Sequence, residues 1–96
     1  MKPSDALRKY TSEIRDIVAR HGALEPRVFG SAVHGTDTED SEFDLLVDPS
    51  PRTTLRILAA IQLDAEQLLG VHVDVLTPNS IPQRNRDRVL LEAIPV

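Results

Sequence analysis

The chain has no cysteine and no tryptophan, and only one tyrosine and two phenylalanines among its 96 residues. The first absence excludes disulfides and thiolate metal sites, which fits a cytoplasmic location. The scarcity of aromatics means that any core must be built from aliphatic side chains. No apolar run is long enough to span a bilayer, so no membrane role is expected. Nor does a charged start lead into an apolar stretch, so no secretory signal is expected. Positive charge is also in short supply, with 11 Lys and Arg against 15 Asp and Glu, a net charge of -4. General nucleic-acid binding needs a basic footprint, and this balance argues against it. Ninety-six residues suit one domain spanning 1–96, small but able to bury a single core.

What is present concentrates between Val28 and Asp48. Val28-Phe29 reads as a strand breaking into a turn at Gly30-Ser31. A polar loop follows, then Glu42-Phe43-Asp44-Leu45-Leu46-Val47-Asp48. A period of two places Phe43, Leu45 and Val47 on one face and Glu42, Asp44 and Asp48 on the other. Two carboxylates two residues apart on one strand face repel each other unless a cation lies between them. Further on, Val71 to Thr77 also alternates, with Val71, Val73 and Val75 opposite His72 and Asp74. If its valine face joins the core beside the first acidic strand, Asp74 stands with Glu42 and Asp44. Three such acids make a hard-oxygen set for divalent metal.

The remaining elements frame that site. Ser4 to His21 reads as a helix, with Ser4 as N-cap, Asp5 in the first turn and Gly22 beyond the end. Leu7, Tyr10, Ile14, Ile17 and Val18 form its apolar stripe, with Leu24 as an extension beyond the helix. Arg27 to Phe29 is the first strand, and Ser31 to Gly35 fits one helical turn with N–H groups open to an anion. The acids Asp37, Glu39 and Asp40 lack EF-hand spacing and its central glycine, and read as a solvated turn. Ser50-Pro51 looks like the start of a helix running to Gly70, long enough to cross over between parallel strands. A last helix runs from Ile81-Pro82 to about Ala93 and carries Arg84, Arg86 and Arg88. Ile94-Pro95-Val96 reads as an apolar tail too short to be an element.

Gly30-Ser31, ten intervening residues, Glu42-x-Asp44 and then a lone strand acid at Asp74 resemble the nucleotidyltransferase superfamily of DNA polymerase β and kanamycin nucleotidyltransferase. The short length and the Phe-Gly-Ser start look most like the minimal nucleotidyltransferases, usually paired with a HEPN-domain ribonuclease toxin. The resemblance implies an α/β (α+β) fold, a small mixed β-sheet with helices packed on one face. It implies ATP as substrate and two Mg²⁺ ions, with Glu42 and Asp44 bridging the ions and Asp74 completing one of them near the attacking hydroxyl. Gly30 would let the backbone approach the phosphates closely, and Ser31 would contact the outer ones. The implied activity is that of an antitoxin transferring AMP to a tyrosine of its HEPN toxin, in a hetero-oligomer that supplies the acceptor pocket. An antitoxin that works by binding alone is the alternative. A small-molecule nucleotidyltransferase is disfavoured for want of a second domain to hold the acceptor.

One departure stands out: the family pattern is Asp-x-Asp, whereas this chain has Glu-x-Asp. The extra methylene moves the carboxylate outward by about 1.5 Å, when errors near 1 Å can cost about 10²-fold in rate. His34 and His72 read as loop or rim residues, His21 as a helix-end residue and Asp48 as solvated. Arg27, Arg52, Arg56, Arg84, Arg86 and Arg88 are the cations available to a triphosphate or a partner, ordinary surface charge being the alternative for each.

Overall fold

A computed structural model describes residues 1–96. The elements run α1 (Pro3–Arg20), β1 (Leu24–Phe29), α2 (Ser31–His34), β2 (Phe43–Asp48), α3 (Leu55–Leu69), β3 (Val73–Leu76), α4 (Gln83–Glu92) and β4 (Ile94–Pro95), with a 3₁₀ turn over Pro78–Ser80. The strands form one sheet in the order β3-β2-β1-β4. β1 is antiparallel to β2 and β4, while β2 and β3 are parallel and joined through α3. The expected mixed sheet and α3 crossover are therefore what the chain builds. No helix is long and apolar enough to cross a membrane.

Alternation decides which side of the sheet is buried. Phe43, Leu45 and Val47 are fully buried, together with Val28 and Val73, against Ile14, Ile17 and Val18 of α1 and Ile61, Ala65 and Leu69 of α3. The core is aliphatic apart from Phe43, as the composition requires. α4 covers part of the other face, where Leu46 packs with Ile81 and Val89, flanked by Phe29 and Leu76. The acids of β2 share that second face, so the helices leave one end of it to them.

Several boundaries differ from the sequence reading, each for a physical reason. Ser4 is not an N-cap: α1 starts at Pro3, and the Ser4 N–H donates to Asp37 Oδ2 at 2.7 Å. Asp37 is accordingly buried rather than solvated, serving as a cap delivered from 33 residues away. Glu39, in the same loop, pairs with the N-terminal amine at 2.6 Å. Ser50-Pro51 does not open α3. Ser50 and Thr53 close a turn on each other, and Thr54 caps the helix by accepting from the Ile57 N–H at 3.3 Å. Leu24 is half exposed rather than part of the apolar stripe. The tail is an element after all: Ile94 and Pro95 pair with Val28 and Arg27, and the Val96 N–H donates to the Pro26 carbonyl. Pro95 is tolerable there because an edge strand needs no donor on its outer side.

The Asp37 cap makes a testable claim on stability. The Ser4 N–H is the main cause holding the Asp37 carboxyl below its ordinary value of 3.8. A depressed carboxylate stabilises the fold above that value and ceases to do so as pH falls through the lowered one. Asp37→Asn is therefore expected to lower Tm by a few degrees near neutrality. The difference from the parent chain should shrink to nothing in strong acid, as followed by circular-dichroism melts across pH.

Candidate metal and nucleotide site

The parallel register pairs Asp44 of β2 with Asp74 of β3 directly, so both side chains leave the same face of the sheet. Glu42, two residues before Asp44, shares that face. One carboxylate oxygen from each of the three lies within 4.8 Å of the other two. The sequence reading placed these residues together, and the structure brings them together. Burial is the first cause raising the Asp44 carboxyl from 3.8 to about 6, followed by the charges of Asp74 and Glu42. Such a raised acid marks a site where negative charge is concentrated. Three oxygen ligands at this spacing suit Mg²⁺ or Mn²⁺ and offer nothing to a soft metal.

Gly30 adjoins the triad because β1 lies beside β2 and Phe29 pairs with Asp44. Its φ of +82° lies where side chains rarely go, and an added Cβ would sit 2.3 Å from Asp44 Oδ2. Glycine is thus required twice over, by conformation and by space. The close neighbour of Gly30 in the fold is the Asp44 carboxylate. Ser31 follows at the start of the single turn of α2, half-buried beside the same strand end.

Two of the six arginines are committed elsewhere. Arg27 donates to Asp48 Oδ1 at 2.5 Å across β1 and β2, so Asp48 is paired rather than solvated. Arg86 donates to the carbonyls of Pro78 and Ile81 and fastens α4 to the preceding turn. Two histidines close satisfied pairs on the rim, His21 with Asp64 and His34 with Glu92. Glu66 escaped the sequence reading, since a glutamate among the polar positions of α3 carries no local signal. Its carboxylate accepts from the Val73 N–H at 3.0 Å and meets His72 Nδ1 at 2.7 Å. That backbone bond is the first cause holding its carboxyl below the usual range. The largest cavity, about 660 Å³ and lined by α1 and α3 residues such as Glu13, Arg20 and Asp64, lies on the helical side away from the triad.

Asp44 sets a pH signature for the site. A carboxyl raised from 3.8 to about 6 stabilises the fold below the lower value, and this contribution is lost as pH rises through 6. In the absence of divalent ions, Asp44→Asn should therefore raise Tm at a pH well above 6 and change it little well below 4. Manganese should raise the Tm of the parent chain above that window and much less below it, where protons compete for the same oxygens. Melts with manganese and with a chelator at both ends of the range check each expectation.

Residues 11–96 match the family model described as a nucleotidyltransferase domain. The chain is 37% identical over 84 residues to the candidate protein adenylyltransferase MJ0435 of Methanocaldococcus jannaschii, covering 88% of this chain and 90% of that one. It is 34% identical to the protein adenylyltransferase MntA of Thermococcus cleftensis, covering 88% and 85%. A solved structure described as a candidate minimal nucleotidyltransferase superposes with a TM-score of 0.86 at 42% identity, over 97% of this chain and 95% of that one. Another, a toxin-antitoxin crystallised with AMP-PNP, has a TM-score of 0.75 at 16% identity over 88% and 69%, a likeness of fold. With the acidic triad seated on this sheet and the match running through nearly the whole chain, the protein belongs to the nucleotidyltransferase domain family.

Proposed function

We propose that this chain is an antitoxin that transfers AMP from ATP to a tyrosine hydroxyl of a cognate HEPN-domain ribonuclease toxin. The observation that carries the reading is the convergence of Glu42, Asp44 and Asp74 from neighbouring segments to within 4.8 Å. The names of the relatives, one a candidate protein adenylyltransferase and one a protein adenylyltransferase, supply the reaction class. A fold shared with a toxin-antitoxin bound to AMP-PNP is in keeping with the partner and the nucleotide.

In this reading, Glu42, Asp44 and Asp74 would hold two Mg²⁺ ions, which would supply charge neutralisation for the triphosphate and for the attacking and leaving oxygens. Gly30 and Ser31 form the wall against which the phosphates rest. The tyrosine oxygen forms a bond to the α-phosphorus as the bond to pyrophosphate breaks. The hydroxyl proton passes to a nearby carboxylate, for which Asp74, beside the attacking hydroxyl in this reading, is the choice. AMP remains on the toxin, and pyrophosphate leaves. The net negative charge favours a protein acceptor over a nucleic acid.

A second reading has its own observation, Glu42 in the place of an aspartate. If the longer side chain mispositions an ion, the chain neutralises its toxin by binding alone. Incubating the protein with the HEPN protein, Mg²⁺ and ATP, then weighing the toxin by mass spectrometry, separates the two. An added AMP is expected, and Asp44→Asn or Asp74→Asn should slow its appearance by at least about 10²-fold. A stable complex with no added mass would establish the binding-only reading instead. Glu42→Asp is expected to speed transfer; an unchanged rate would mean that the extra methylene is accommodated.

A further inference from the structure

Several titratable groups outside the triad close on themselves in pairs, but one chain of contacts runs into the site. The Phe43 N–H donates to the His72 carbonyl at 2.8 Å, which places His72 at the mouth of β3 beside Glu42. His72 Nδ1 lies 2.7 Å from Glu66 Oε2, and His72 Nε2 lies 3.9 Å from Glu42 Oε1. The ring thus stands between two carboxylates, with Nδ1 on the Glu66 side and Nε2 on the Glu42 side.

Burial does not require this arrangement. The His72 side chain is 57% exposed and the Glu42 side chain 56%, whereas Glu66 is only 25% exposed. An exposed imidazole can remain free in solvent, and restraining it opposes side-chain entropy. The anchor is rigid, because Glu66 sits on α3 and is tied to the Val73 N–H at 3.0 Å. Glu42, by contrast, precedes β2 and has the longest and most exposed side chain of the triad.

We infer that His72, held by Glu66, is a positioning residue for the metal site that restricts where the Glu42 carboxylate can lie relative to Asp44 and Asp74. The inference rests on the reading of the triad as a divalent-metal site. Glu42 reaches about 1.5 Å further than an aspartate and has one more rotatable bond, freedom that the ring limits from one side. Residues that orient metal ligands commonly change affinity by about 10–100-fold when removed. A contact of 3.9 Å between exposed groups belongs at the lower end of that range.

The test is Mn²⁺ binding to the purified full chain, read by electron paramagnetic resonance of the free ion. His72→Ala is expected to weaken binding roughly 10-fold. Glu66→Gln, which keeps an acceptor for the Val73 N–H but loses the charge holding the ring, should weaken it in the same direction. His72→Gln reaches a similar distance beside Glu42 and should recover much of the loss; His72→Asn, too short to reach, should not. In a Glu42→Asp background, where the carboxylate withdraws from the ring, His72→Ala should change affinity by less than about 2-fold, the mark of a coupled pair. Equal binding by His72→Ala and the parent chain would overturn the inference alone, as would the same loss in both backgrounds. Absence of Mn²⁺ binding by the parent chain would instead overturn the metal-site reading, and this inference with it.

Discussion

The repulsion between Asp44 and Asp74 is the constraint around which the molecule is arranged. Parallel pairing seats the two carboxylates side by side, and Glu42 adds a third within the same 4.8 Å. Like charges near that spacing repel by about 1 kcal/mol in bulk water and about 3 kcal/mol at the lower effective dielectric of a protein surface. Against a net stability of about 5–15 kcal/mol for a typical domain, that is a substantial unfavourable contribution. Partial burial of Asp44 adds to it by removing water from the charge. Folding therefore carries an opposition at this point that a divalent cation would remove.

The hydrophobic core, on the far side of the sheet, is what sustains the arrangement. Phe43, Leu45, Val47 and Val73 are all fully buried there. Because side chains alternate, a slip of one residue in either strand would turn valines and leucines to solvent and acids to the core. The register that seals the core is thus the same one that aligns Asp44 with Asp74. Core and site cannot vary independently. Gly30 completes the coupling from the β1 side, since any larger residue there would collide with Asp44.

The same alternation explains how much could be read without coordinates. Periodicity alone assigned Asp44 and Asp74 to polar faces, and the length of the α3 segment allowed those faces to become neighbours. What escaped were contacts whose two halves are far apart in sequence. Asp37 caps a helix that begins more than thirty residues before it, and nothing near Asp37 records that Ser4 will be its partner. Asp48 looked solvated because Arg27 lies on another strand. Ile94-Pro95 looked like a tail because two residues show no period, yet the open edge of β1 was enough to pair them. The start of α3 failed differently. Ser50-Pro51 is a good local opening signal, but the chain leaving β2 first has to turn, and Ser50 and Thr53 are spent on that turn. Local propensity gave way to tertiary geometry there.

Glu42 is where these levels meet. Read as sequence it is a departure from a pattern, a longer acid in the place of a shorter one. In the fold it lies at the end of β2, outside the ladder that holds Asp44 and Asp74, so its carboxylate is the least restrained of the three. A longer side chain at that point can reach the same ion from a backbone position that an aspartate could not use, but only if something limits its extra rotamers. The neighbours that could do so are few, because solvent lies on the exposed side and Asp44 already fills the space toward Gly30. The residue leading into the strand that supplies Asp74 is His72, and α3, which connects the two acidic strands, supplies Glu66. The crossover thus does more than join β2 to β3: it brings a carboxylate to the rim of the site it spans.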